Sequence, residues 1–114
     1  MTQDDIDIIA SEHIFQICIR DMMPSWEGIQ LSIEGITEAI TEACESLGAP
    51  LIGVYPIGDT WTYRGESRDI LYNVSFRRGE KKVDKFQIYS ALKPKLSPAH
   101  QILWISDLDE RGKV

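Results

Sequence analysis

The sequence has few of the residues from which metal, redox and nucleophilic sites are built. Among its 114 residues there are two cysteines and two histidines, and neither cysteine has a C-x-x-C or comparable ligand spacing. A zinc site needs three or four converging ligands. The eight glycines are scattered rather than gathered in a phosphate-binding loop, and no G-x-S-x-G elbow occurs. We therefore expect no catalytic residue, no metal and no cofactor, and a protein that is not an enzyme.

Long apolar runs are also missing. No stretch approaches the ~20 apolar residues of a membrane-spanning helix, and the first residues, MTQDD, are acidic where an export signal would be basic. Cys18 and Cys44 lie within apolar patterns, which predicts two buried, unpaired thiols. These features predict a cytoplasmic protein that does not interact with membranes.

The composition fits one globular domain. Apolar residues make up 43% of the chain and charged residues 26%, and 114 residues bury enough surface for a core without metals or disulfides. We expect a single domain over residues 1–114, with residues 1–3 and 107–114 fraying at its ends.

The N-terminal quarter has two interpretations. Apolar residues recur at helical spacing over residues 3–23, but in two stripes on nearly opposite sides of a helix. The alternative ends the helix near Ser11 and makes residues 13–20 a strand, with Phe15, Ile17 and Ile19 on its inner face. The helix is preferred at this stage.

A second helix is better defined. Ile36, Ile40 and Leu47 fall on one helical face, and Gly48 suits a left-handed residue at the helix end. Its start is open, because residues 29–33 also alternate as a strand would.

Beyond residue 50 the apolar period changes from 3.6 to 2. Turn residues divide this half into five candidate strands, at 51–55, 60–64, 70–77, 83–92 and 101–106. The predicted fold is α+β, with two N-terminal helices packed on one face of a four- to five-stranded, mainly antiparallel sheet arranged as a meander.

Charge is divided unevenly along the chain. Residues 1–48 contain ten acids and one base, a net charge of −9, whereas residues 49–114 contain eleven bases and eight acids, a net charge of +3. The candidate contacts for a protein partner are the acids of the second helix and an aromatic pair on one strand: Glu34, Glu38, Glu42, Glu45, Trp61 and Tyr63. The candidate contacts for an anion or a nucleic acid are Arg77, Arg78, Lys81, Lys82 and Lys85.

These observations predict a small protein-binding module of the inhibitor, immunity or accessory type, which occludes or holds a protein partner. The acidic half would suit a basic partner, such as a protein that handles nucleic acid. The alternative is a nucleic-acid-binding module that uses the basic segment 77–95, and an enzyme without a recognisable motif comes third. The uneven charge distribution can also be explained without a partner, as charged faces that keep the protein soluble.

Overall fold

The structure, a computed structural model, describes residues 11–22, 29–61, 67–79 and 81–111. Its elements in chain order are β1 (Glu12–Asp21), α1 (Ile29–Glu45), β2 (Leu51–Trp61), β3 (Arg68–Arg77), α2 (Lys85–Leu92), a 3₁₀ turn (Lys93–Lys95), β4 (His100–Asp107) and α3 (Leu108–Arg111). No helix within these ranges is long and apolar enough to cross a membrane.

The four strands form one antiparallel sheet in the order β2-β3-β1-β4. With α1 between β1 and β2, and α2 between β3 and β4, this is the βαββαβ arrangement of ferredoxin-like folds. The α+β class and the antiparallel sheet are confirmed. The predicted arrangement is wrong, because one helix lies between the first two strands, another lies between the last two, and the strand order is not a meander.

The first correction concerns residues 12–21, which form β1 rather than a helix. β1 pairs with β3 on one side and with β4 on the other. Phe15, Ile17 and Ile19 are fully buried, and Cys18 on the opposite face is nearly so. The inward face of β1 accounts for the two stripes, because residues two apart lie on one side of a strand but on nearly opposite sides of a helix. Residues 3–10 of that predicted helix lie outside the described residues.

The second correction concerns residues 83–92, where α2 replaces a predicted strand. Ile88 and Leu92 are fully buried and four residues apart, which is helical spacing. Asp84 and Gln87 form a reciprocal capping box that starts the helix at this point.

The third correction joins two predicted strands into one. Residues 51–61 form the single strand β2, with irregularities between Leu51 and Gly53 and between Pro56 and Gly58. The expected turn at 56–59 is therefore extended backbone. The predicted strand 60–64 is only partly described, since residues 62–64 lie outside the described residues.

Two helices cover one face of the sheet and enclose the core. Ile36 and Ile40 of α1 and Ile88 of α2 are buried against alternate residues of β1 and β3. The Tyr72 hydroxyl of β3 donates a hydrogen bond to the Ile33 carbonyl of α1 at 3.2 Å. The predicted apolar face of α1 is confirmed. Gly48, three residues after the end of α1, has a φ of +77°, the left-handed backbone that was predicted for it.

Residues 107–111 continue the described structure beyond the last predicted strand. Residue 107 completes β4 and residues 108–111 form α3, which lies against β1. Asp107 is nearly buried. Fraying of residues 107–114 stays a prediction, and residues 112–114 lie outside the described residues.

Candidate functional site

Four of the five predicted anion contacts line one cleft. Arg77, Arg78, Lys81 and Lys82 surround a hollow of about 490 Å³ that follows β3. Lys85 stands apart from this cleft, at the start of α2. The structure thus brings most of the basic segment together.

Acidic side chains occupy the same cleft and offset its charge. Arg78 donates two hydrogen bonds to the Asp109 carboxylate, at 2.8 and 2.7 Å, and these hydrogen bonds raise the pKa of the Arg78 guanidinium. Asp84, Asp107 and Glu110 also line the cleft. Outside it, Lys85 lies 3.3 Å from Glu110. A phosphate backbone would therefore meet a surface of mixed sign.

A histidine and two aspartates converge at the edge of this cleft. His13 Nε2 lies 2.8 Å from Asp107 Oδ1 and 3.6 Å from Asp109 Oδ2, and one donor atom from each residue falls within 4.8 Å of the others. Nitrogen and oxygen donors at this spacing are of the type that binds metals. However, Arg78 engages both oxygens of Asp109, and the neighbouring cations repel a metal ion.

We interpret this cluster as a structural connection between β1 and the end of β4. The His13 ring also packs on Phe15, with 4.4 Å between ring centroids. No local sequence pattern predicts this contact, because Asp107 is 94 residues away from His13.

The predicted acidic contacts lie along an exposed face of α1. Glu34, Glu38, Glu42 and Glu45 are all exposed, and Glu42 lies 3.8 Å from Lys95. Several exposed glutamates are common on the solvent-facing side of a surface helix. The four glutamates supply negative potential, and none of them lines the cleft that follows β3 or the two hollows beside β4.

The predicted aromatic pair is only half described. Trp61 is exposed at the end of β2, where the Arg68 guanidinium lies 5.5 Å from its ring centroid. Tyr63 lies outside the described residues.

The two edge strands of the sheet differ in how they are protected. β2 carries Asp59, Pro56 and two glycines and has two irregularities in its pairing, which are features that discourage a further strand from pairing. In β4, residues 101–106 (QILWIS) contain no charge, proline or glycine, and one register shift at Leu103 interrupts the pairing. β4 pairs with β1 alone among the described strands, so none of those strands covers its outer backbone edge, which we call the open edge.

A hollow of about 380 Å³ lies beside this open edge, between β4 and α2. We call it the edge groove, and its lining residues are Lys85, Phe86, Tyr89, Ile102, Leu103, Trp104 and Ile105. Phe86 is 72% exposed, Tyr89 41% and Trp104 40%. A second hollow of about 360 Å³ continues it toward His100 and shares Tyr89 and Ile102 with it.

Sequence reasoning missed the edge groove because it made residues 83–92 a strand in which Phe86 shared an inner face with Ile88. In the helix, Phe86 lies two residues before Ile88 and therefore points to the opposite side. The signal that could have found this was Asp84 followed by Gln87 three residues later, the pattern of a capping box.

Comparison with known proteins supports the fold and no more. No family model matches the chain, and no curated protein matches it significantly. Among solved structures, the chain is similar to a part of the full extracellular region of zebrafish Gpr126/Adgrg6, with a TM-score of 0.54 and 11% identity. The match covers 84% of this chain and 13% of that chain. A likeness at this identity concerns architecture, since one fold carries many functions.

Proposed function

We propose that this chain is a non-enzymatic protein-binding module, of inhibitory or accessory type, and that it contacts its partner through the edge groove. The observation that carries the proposal is the position of three exposed aromatic rings, Phe86, Tyr89 and Trp104, beside the outer edge of β4, where residues 101–106 carry no charge.

Exposed aromatic rings at an open edge are costly for a protein that remains alone. Each such ring buries on the order of 150–250 Å² when covered, and Trp and Tyr are enriched among the residues that dominate binding energy. An uncharged edge strand also pairs readily with other chains unless something covers it. A partner bound to β4 and α2 would cover both the aromatic rings and the strand edge.

The acidic face of α1 has a smaller role in this proposal. Its four exposed glutamates contribute solubility and long-range attraction for basic groups. The contact surface is thus assigned to α2 and β4 rather than to the glutamates that the sequence analysis favoured.

A nucleic-acid-binding module is the second candidate, and it rests on the clustering of Arg77, Arg78, Lys81 and Lys82 around one cleft. Asp109 engages Arg78 in that cleft, and Glu110 engages Lys85 beside it, so fewer cations are available to phosphates. The proposal includes a cytoplasmic location, for which two buried, unpaired thiols are the support.

The test is site-specific photo-crosslinking in cells that normally contain the protein. A photoreactive phenylalanine analogue is placed at Phe86, at Trp104 or, as the control, at Glu38 on α1. We expect crosslinks to one and the same protein from positions 86 and 104, and none to that protein from position 38.

A matched pair of variants completes the test. Phe86→Ser combined with Trp104→Thr should abolish recovery of that protein, whereas Glu38→Lys combined with Glu42→Lys should leave it unchanged. Crosslinks confined to α1, or material that disappears after nuclease treatment, would contradict the proposal.

A further inference from the structure

We infer that the edge groove binds an extended, acidic segment of a partner protein, which adds to the sheet as a fifth strand beside β4. This inference rests on the proposed function and specifies the chemistry of the partner. Three independent features of the edge groove carry it.

The first feature is the distribution of apolar side chains over both faces of β4. Ile102 is opposite Ile19 on the helix-covered face, whereas Trp104 is opposite Cys18 on the other face of the sheet. Because successive side chains of a strand alternate between faces, an added strand would contact α2 and Ile102 with one set of side chains and Trp104 with the other. A helix laid over α2 would contact only one of these faces.

The second feature is the charge of the lining. The ionisable side chains that line the two hollows are Lys85, Lys93, His100 and Tyr89. Carboxylates lie next to two of them, Glu110 at 3.3 Å from Lys85 and Asp21 at 3.7 Å from His100, so Lys93 contributes most of the positive charge that an occupant would meet. The ammonium groups of Lys85 and Lys93 lie 5.7 and 5.5 Å from the ring centroids of Phe86 and Tyr89. Complementarity therefore favours an occupant with Asp or Glu flanking its apolar residues.

The charge also argues against a second copy of this chain. Two copies paired through β4 would each present the same two lysines, Lys85 and Lys93, beside the shared edge. Like charges across an interface oppose association.

The third feature is length. β4 has eight residues, which at ~3.4 Å per residue span roughly 27 Å. A segment of about five to eight residues can pair along this distance, which is the size of peptide that strand addition typically engages.

The experiment is a selection of displayed random peptides on the intact protein, followed by synthesis of the enriched sequence. We expect enriched peptides with alternating apolar residues and flanking Asp or Glu. Methylation of single peptide nitrogens should weaken binding at least tenfold at every second position and little between them, because only alternate N–H groups face β4.

Charge exchange tests the chemistry separately from the backbone. Lys85→Glu combined with Lys93→Glu should weaken binding of the acidic peptide at least tenfold. A peptide with lysines in place of its acids should bind this variant and so restore the affinity. Lys82→Glu, in the other cleft, is the matched control and should have little effect.

The outcomes separate the two proposals. Peptides enriched in lysine or arginine, or a methylation effect without a period of two, would overturn this inference and leave the proposed function standing. A dimer in sedimentation that Trp104→Thr dissociates would replace the partner segment with a second copy. A selection that enriches nothing above the Phe86→Ser, Trp104→Thr variant would overturn both proposals.

Discussion

Burial controls the chemistry of the two thiols. Cys44 of α1 is fully buried, and desolvation raises the pKa of its thiol from 9.0 to about 12. Burial is also the main cause that raises the pKa of Cys18, followed by the nearby charge of Asp69. Both positions were predicted to be buried from their apolar surroundings, and both are.

Cys44 should make the protein less stable at high pH. The unfolded thiol ionises near pH 9, whereas the folded thiol stays neutral until about pH 12. Because the folded state binds more protons in this range, the free energy of unfolding falls as the pH rises through it. Denaturant melts at pH 8 and pH 10 should show a smaller fall for Cys44→Ala than for the natural sequence.

Ile36→Val is the control for this measurement, since it removes buried volume without removing a titrating group. It should lower stability by about 0.5–1.5 kcal/mol at both pH values. A Cys44→Ala variant that keeps the full pH dependence would show that the thiol is not responsible.

The elements of the fold differed in how far the sequence could predict them. α1 was predictable because its apolar residues lie on one face and its glutamates on the other. β1 was not, because its alternating apolar residues also fall into two stripes on a helix, so the same residues fit either element. α2 is short, and the apolar residues Phe86 and Ile88 alternate as in a strand. Only the capping box of Asp84 and Gln87 indicates a helix at this point.

The capping box of α2 should contribute measurably to stability. Asp84 Oδ1 accepts a hydrogen bond from the Gln87 backbone N–H at 2.9 Å, and Gln87 Oε1 accepts one from the Asp84 N–H at 2.9 Å. Asp84→Ala should lower the free energy of unfolding by about 0.5–2 kcal/mol, measured in denaturant melts. Asp84→Asn should retain most of the stability that the cap contributes, because asparagine is also a good N-cap residue.

Lys82→Ala serves as the comparison, since Lys82 is exposed two residues before the cap. Its effect should stay within about 0.5 kcal/mol. A loss for Asp84→Ala no larger than this would mean that the cap is not formed in solution.

At the scale of the whole molecule, the sequence shows which segments carry charge or apolar residues but not where those segments lie in the fold. The strand at 101–106 was predicted and lies within β4. Its place at the open edge depends on pairing with β1, more than 80 residues earlier, which no local pattern encodes. The candidate contacts changed for this reason. The charge distribution along the sequence favoured α1, whereas in the folded chain Phe86, Tyr89 and Trp104 are exposed beside the outer edge of β4.

The most direct test of the account is hydrogen exchange at individual backbone amides, measured with and without the protein captured through position 86. If the partner seats on the edge groove, alternate amides of β4 should exchange at least tenfold more slowly in the complex, while those of α1 remain unchanged. Protection along α1 with no change in β4 would contradict the central claim.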